Sequence, residues 1–177
     1  MQVSEGEEDF HHKHHTDPLL GVVLHKILEL LSKGNLSRNE DAVRKKAESL
    51  VRFYEARISK EKEIVDEVIK HLKTLEENGL LDEVVITTNK NFAEIPFILK
   101  HNGRNYSGRI DRVVFREDDA FIYDYKTFPV EKGEIPALKN AFSFQLNIYR
   151  EAVKSIFSPK RIFTYLLLTS SGKLIEI

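Results

Sequence analysis

Two short runs carry the residues best suited to chemistry: Gly108-Arg109-Ile110-Asp111-Arg112-Val113-Val114-Phe115 and Ala120-Phe121-Ile122-Tyr123-Asp124-Tyr125-Lys126-Thr127, separated by Arg116-Glu117-Asp118-Asp119. β-Branched and aromatic residues dominate both runs and the gap has turn chemistry, so the pattern predicts a β-hairpin. A two-residue turn at Glu117-Asp118 sets Arg116 against Asp119. Counting back along both strands then puts Asp111 directly opposite Asp124, with Cβ atoms roughly 5 Å apart. A three-residue turn would set Asp111 against Tyr125 instead, with its side chain on the other face. In the first register two mid-strand carboxylates repel each other inside runs that otherwise favour burial, and a divalent cation between them is the simplest compensation. Lys126, two residues past Asp124, shares its face. Two acids and a lysine on one patch suit metal-dependent phosphodiester hydrolysis, which needs an activated water, charge neutralisation at phosphorus and help for the leaving oxygen. An isolated Asp-x-Lys on a strand is usually a solvated edge, but the apolar flank Phe121-Ile122-Tyr123 argues against that here.

The elements that must hold these residues follow from periodicity. Gly21 to about Ser32 reads as a helix with Val22, Leu24, Ile27, Leu28 and Leu31 as its apolar face, started near Asp17-Pro18. Ser37–Ser59, with Ser37 or Asn39 as cap, and Lys60–Asn78, ended by Gly79, are expected as two more helices. Strands are expected at about 83–88, 93–100, 106–116 and 120–127, then a long helix from Pro136 to about Phe157, then strands at 161–168 and 173–177 around Ser170-Ser171-Gly172. That order describes an α/β or α+β domain with a mixed central sheet flanked by helices, in which the long helix permits a parallel crossover. Residues 1–17, polar and containing His11, His12, His14 and His15, are expected to be a disordered tail or domain-boundary linker, with 18–177 as the folded domain. A metal-binding tract is the other reading of those histidines.

Four pieces, taken in order, resemble the PD-(D/E)xK nucleases, specifically the RecB-like branch at the C-terminus of UvrD/Rep-type recombination helicases of the RecB and AddA class. Gly21 to Glu29 resembles the G-x-x-x-H-x-x-L-E helix, and Gly108 to Arg112 the G-x-I-D-R strand. Asp124 to Thr127 resembles D-Y-K-T, and Gln145 to Tyr149 resembles Q-L-x-x-Y. The pieces span residues 21–149. The resemblance implies a restriction-endonuclease-like core with an added N-terminal helical region. It also implies a magnesium-dependent deoxyribonuclease, an exonuclease in recombination and double-strand-break repair. The partners implied are DNA and attached or associated helicase domains or subunits, and the location is cytoplasmic.

The resemblance also distributes roles. His25 becomes a metal ligand beside Asp111, Asp124 and the backbone carbonyl of Tyr125; read alone, a histidine on an apolar helix is more often a core residue. Magnesium suits the carboxylates, and an imidazole makes manganese acceptable. Lys126 is expected at the scissile phosphate, stabilising charge or helping to deprotonate the water. Gln145 and Tyr149, four apart on one helix face, are expected to orient that lysine or touch the DNA backbone. Glu94 is a weaker candidate for an extra carboxylate on the metal side, since a glutamate at a strand end is usually solvated. Gly108 either permits close approach of a ligand or marks a bulge.

Composition narrows the field. The chain has 177 residues, 41% hydrophobic and 31% charged, as an ordinary globular domain has. It has no apolar run long enough to span a bilayer, and its first residues do not follow the signal-peptide pattern. With no cysteine, a disulfide scaffold, a zinc–thiolate site and an iron–sulfur cluster are excluded. That sets the chain apart from the Cas4-like and AddB-like relatives. A net charge of −1 leaves nucleic-acid contact to local groups: Arg44-Lys45-Lys46, Arg104, Arg109, Arg112, Lys132 and Lys139. Two readings compete with an active enzyme: a silent DNA-end-binding or subunit-contact module of the same fold, and an unrelated fold in which the acids serve structure. Retention of Asp111, Asp124 and Lys126 favours activity.

Overall fold

Asp17 starts the first helix as the Asp-Pro pair predicts, its carboxylate accepting from the Leu19 N–H at 3.0 Å with Pro18 in the first turn. The structure, a computed structural model, describes residues 17–55 and 59–177. The histidine-rich tract before Asp17 lies outside the described residues. Helix α1 (Pro18–Ser32) buries Leu20, Val23, Leu24, Ile27, Leu28 and Leu31. Helix α2 (Glu40–Tyr54) is capped by Asn39, which accepts from the Asp41 and Ala42 N–H groups; its end falls short of the expected Ser59. Helix α3 (Glu61–Glu77) stops before Gly79, whose φ of +71° suits a residue without Cβ. No helix among the described residues is long and apolar enough to cross a membrane.

The strand expected at 83–88 is not formed. Leu81–Val85 makes a single π-helical turn that buries Leu81, Val84 and Val85 in the core of α1 to α3. Its carbonyls need no neighbouring strand because a side chain serves them. Arg112 donates Nε–H to the Val84 carbonyl at 2.8 Å and a terminal N–H to the Val85 carbonyl at 2.7 Å. Arg112, expected from sequence among the DNA-contacting cations, is therefore corrected to a buried structural residue, 1% exposed.

The sheet has five strands in spatial order β1 (Asn91–His101), β2 (Arg104–Arg116), β3 (Asp119–Lys126), β4 (Ile162–Leu168) and β5 (Lys173–Glu176). β3 and β4 are parallel, joined through helix α4 (Ile135–Phe157), and the other neighbours are antiparallel. Helices α1 to α3 cover one face, where Val114, Tyr123, Tyr125 and Leu167 join their core. Helix α4 covers the other, against Ile110, Val113, Ile122, Leu166 and Leu168. This is the mixed, helix-flanked sheet that the element order predicts.

Two irregularities in the sheet create the site. The first is a fork. The β2–β3 pairing runs from Arg116–Asp119, across the two-residue turn expected, to Arg112–Tyr123 and stops. Past that point β3 stays with β4 as far as Lys126–Leu168, while β2 stays with β1 as far as Arg104–His101. Asp111 and Asp124 stand where the strands part. The second is a synchronous change of face. Side chains of a regular strand alternate, yet Phe92 and then Ile95, Phe97 and Leu99 all pack toward α4, as do Phe115, Val113 and then Ile110. β1 and β2 therefore each turn over once, at Glu94 and Asp111. Glu94 takes a φ of +57° to do so. The pairs Ala93–Arg112 and Ile95–Ile110 flank the turnover, so Glu94 lies opposite Asp111 with no residue gained or lost.

Candidate active site

Asp111 fills the fork with its own carboxylate. Oδ2 accepts the Tyr125 N–H at 2.8 Å, standing in for the ladder bond that the parted strands no longer make. Oδ1 lies 3.6 Å from Nδ1 of His25, which α1 carries over the sheet. The imidazole is fixed edge-on to the Tyr125 ring, with centroids 5.5 Å apart. His25, Glu94 and Asp111 each offer a ligand atom, and the three atoms lie within 4.8 Å of one another. They open into a pocket of about 410 Å3 that Lys26, Tyr54 and Arg109 also line. Glu29, the end of the α1 motif, is held at this wall by Lys26 and Lys33, each at 2.6 Å.

The charges are mutually adjusted. Burial opposes ionisation of both Asp111 and His25, but each stabilises the other, and the Tyr125 N–H adds to it for the acid. The Asp111 carboxyl is thus held below the ordinary range and the His25 imidazole above it. Burial and the Asp111 charge push Glu94 up, against the pull of His25 and Arg109. Asp124 is likewise pushed up by burial, with Lys126 pulling down and Asp111 raising it. One carboxylate ionises readily and two resist, as expected of acids this closely crowded.

Asp124 and Lys126 adjoin this trio. Lys126 Nζ is 2.8 Å from Asp124 Oδ2, and these side chains are 11% and 4% exposed. The ammonium also sits over the Phe142 ring of α4, 4.1 Å from its centroid. One turn on, Gln145 donates Nε2–H to the Tyr149 hydroxyl at 2.9 Å and leaves its buried Oε1 without a partner. Tyr149 meets Phe97 edge-on at 5.7 Å. His25, Asp111, Asp124, Tyr125 and Lys126 thus gather at the fork, and Gln145 and Tyr149 lie on the α4 side.

Glu94 stands closer to the centre of the site than a solvated strand end would. Its signal was available in the sequence: Asn102-Gly103 is a strong two-residue hairpin turn. Counting back from His101–Arg104 pairs Glu94 with Asp111, as the β2–β3 count pairs Asp111 with Asp124. Of the candidate DNA-contacting cations, Arg44 is tied to Asp66 at 2.6 Å and Glu40 at 3.2 Å. Arg109 is 64% exposed at the pocket rim, 3.4 Å from Glu94. Arg104, Lys132 and Lys139 are exposed away from the pocket lining.

A forked mixed sheet with acids and a lysine at the fork defines a nuclease-like class, and sequence comparison agrees: residues 3–171 match the PD-(D/E)XK nuclease superfamily, and the chain belongs to it. More particular relatives are two ATP-dependent helicase/nuclease subunits, from Thermoanaerobacter sp. (strain X514) and Thermoanaerobacter pseudethanolicus (strain ATCC 33223 / 39E). Each is 25% identical over 111 residues, covering 54% of this chain and 9% of the relative. A solved structure described as "Crystal structure of SSO0001" aligns over 90% of this chain and 74% of that one, with 18% identity and a TM-score of 0.36.

Proposed function

We propose that residues 18–177 form a divalent-metal-dependent deoxyribonuclease domain, an exonuclease that works with helicase domains or subunits in recombination and double-strand-break repair. The observation that carries this reading is the convergence of His25, Glu94 and Asp111 at the fork, beside the buried Asp124–Lys126 pair. The helicase association rests on the likeness to the two helicase/nuclease subunits, of whose length this chain spans 9%.

The donor set fits a hard cation. Two carboxylates and an imidazole, from Glu94, Asp111 and His25, lie within 4.8 Å of one another, and the buried Asp124 carboxylate adjoins them with its Oδ2 2.8 Å from Lys126 Nζ. His25, Asp111, Asp124 and the Tyr125 carbonyl would hold magnesium or manganese, with Glu94 beside them. When bound, the cation supplies neutralisation of the phosphoryl charge and a more acidic water. The chain does the rest. The Tyr125 N–H fixes one oxygen of Asp111 and leaves the other directed at His25. His25 would have to be neutral to serve as a ligand, so its charged pairing with Asp111 belongs to the metal-free site. Lys126, released from Asp124, carries its ammonium to the phosphate and offsets the charge that develops as water attacks phosphorus. Gln145, fixed by Tyr149, offers its free Oε1 to hold the lysine in that position.

The test is cleavage of end-labelled linear single- and double-stranded DNA with Mg²⁺, Mn²⁺ or EDTA, comparing wild type with Asp124→Ala and Lys126→Ala. Metal-dependent shortening lost in both variants is expected. Cutting that persists in EDTA or in Asp124→Ala would overturn the assignment. A folded wild type that binds metal and cuts nothing would return the reading to a silent DNA-end-binding module.

A further inference from the structure

We propose that Phe53 and Tyr54 form a base-stacking platform at the mouth of the metal pocket, through which the domain grips unpaired nucleotides. The inference rests on the nuclease reading and adds a determinant of strand type to it. Helix α2 buries Val43, Ala47, Leu50 and Val51 and then ends in two exposed aromatics, Phe53 off that spacing and Tyr54 on it. Phe53 is 79% exposed and Tyr54 46%. They brace each other edge to face, with centroids 5.2 Å apart and planes at 79°. Their position is what gives them meaning. Tyr54 lines the same pocket as His25, Glu94 and Asp111, and Val22 of α1, 46% exposed, lines it too. An apolar, aromatic lip therefore runs directly into the cluster of acids.

A nucleic acid needs such a lip here more than elsewhere. The chain carries a net charge of −1, and the pocket sets Lys26, Arg109 and His25 against Glu29, Glu94 and Asp111, so no cationic surplus is there to supply most of the grip. Base–aromatic stacking is indifferent to salt and sequence, because every base has a π-face. Inside a duplex both faces of each base are already covered by its neighbours, and only the end pair shows one. A strand with unpaired bases can offer a face to Tyr54 or Phe53 at any position while its phosphate lies at the carboxylates. Arg109 at the rim, 64% exposed, is placed to meet the next phosphate.

The test measures binding of the full chain by fluorescence anisotropy in Ca²⁺, with cutting monitored on gels. The probes are a 20-mer of thymidine, an abasic 20-mer of equal charge, and a blunt duplex of the same length. Wild type is expected to prefer the thymidine strand to the abasic one. Phe53→Ala and Tyr54→Ala are expected to lose about five- to a hundredfold in affinity for thymidine, with little change for the abasic strand. Phe53→Leu, which keeps apolar bulk without a π-face, should lose as Ala does, and Phe53→Trp should not. Both side chains are exposed, so unchanged melting temperatures will show that the variants fold. Equal binding of the two strands by wild type, or thymidine binding unmoved by Phe53→Ala, would overturn the platform. Full activity in Phe53→Leu would do the same and point to a protein surface resting on these rings. A protein that stacks thymidine through these rings but never cuts in Mg²⁺ sinks the nuclease reading alone. A protein that cuts, with thymidine binding indifferent to Phe53, sinks the platform alone.

Discussion

Glu94 sits in left-handed backbone, φ +57°, in the middle of a β-strand, and its carboxylate is crowded by Asp111. Strain held at a functional position should be recoverable by mutation. Two substitutions separate its parts. Glu94→Ala removes the charge and keeps the Cβ; Glu94→Gly removes both. A left-handed conformation costs a residue with a Cβ roughly 1–2 kcal/mol. Glycine loses about 0.5–1 kcal/mol relative to alanine through greater freedom in the unfolded chain. The difference leaves Glu94→Gly more stable than Glu94→Ala by up to about 1.5 kcal/mol, or up to about 6 °C in melting temperature for a domain of this size. The ion pair with the exposed Arg109 is lost in both and cancels. Calorimetric melts in EDTA make the comparison, and DNA cleavage in Mg²⁺ accompanies it. Both variants are expected to cut poorly, since each lacks one member of the trio. If Glu94→Ala melts at or above Glu94→Gly, the turnover of β1 stores no strain. If either cuts like wild type, Glu94 has no part in the site.

Lys126→Gln should lower cleavage about 10²- to 10³-fold without weakening Ca²⁺ binding by calorimetry; parallel loss of both would mean that the lysine only holds the acids in place. Arg112→Met should cost about 3 kcal/mol, because two charge-assisted hydrogen bonds go and the Val84 and Val85 carbonyls are left buried; a change of less than about 1 kcal/mol in urea unfolding would refute that role. Two histidines should shape metal-free stability with opposite sign. His25 has a raised folded value, so its contribution is complete below its ordinary 6.5 and fades as pH rises through the raised value. Burial, the largest effect, depresses His71, whose contribution is present above 6.5 and fades as pH falls toward the depressed value. Melting in EDTA should therefore show wild type losing its advantage over His25→Ala on the alkaline side and over His71→Gln on the acid side. Curves that slope the same way would contradict it.

The sequence was most legible where local rules and the fold agree. Asp17, Asn39 and Gly79 mark helix ends by cap chemistry, and the β2–β3 register follows from a turn and a count. It was least legible where a distant side chain overrides a local preference. Val84-Val85-Ile86-Thr87-Thr88 has strand composition, and only the guanidinium of Arg112, folded beneath it, makes a π-helical turn cheaper than a ladder. The reverse error is the same fact: nothing near Arg112 in sequence says that it is buried. Glu94 was hidden by a positive φ that its residue type does not advertise, although the Asn-Gly turn fixed its partner. Phe53 breaks the apolar spacing of α2 visibly, whereas Tyr54 keeps it and reads as core; the neighbours of both in space are set by how α1 and α2 pack.

The parting of β2 from β3 divides the sheet into two parts that share one helix. β3, β4 and β5 are clamped between the helical layer and α4. The arm from Ile95 to Ile110 pairs within itself and joins β3 through five residue pairs, Arg112–Tyr123 to Arg116–Asp119, and through the Asp111 carboxylate on the Tyr125 N–H. That last bond pins Asp111 beside Asp124 at the point of parting. The arm also rests on α4 through Phe97 against Tyr149, whose hydroxyl holds the Gln145 amide. Tyr149 therefore has two duties in one ring: its contact with Phe97 seats the strand that carries Glu94, and its hydroxyl aims the amide of Gln145.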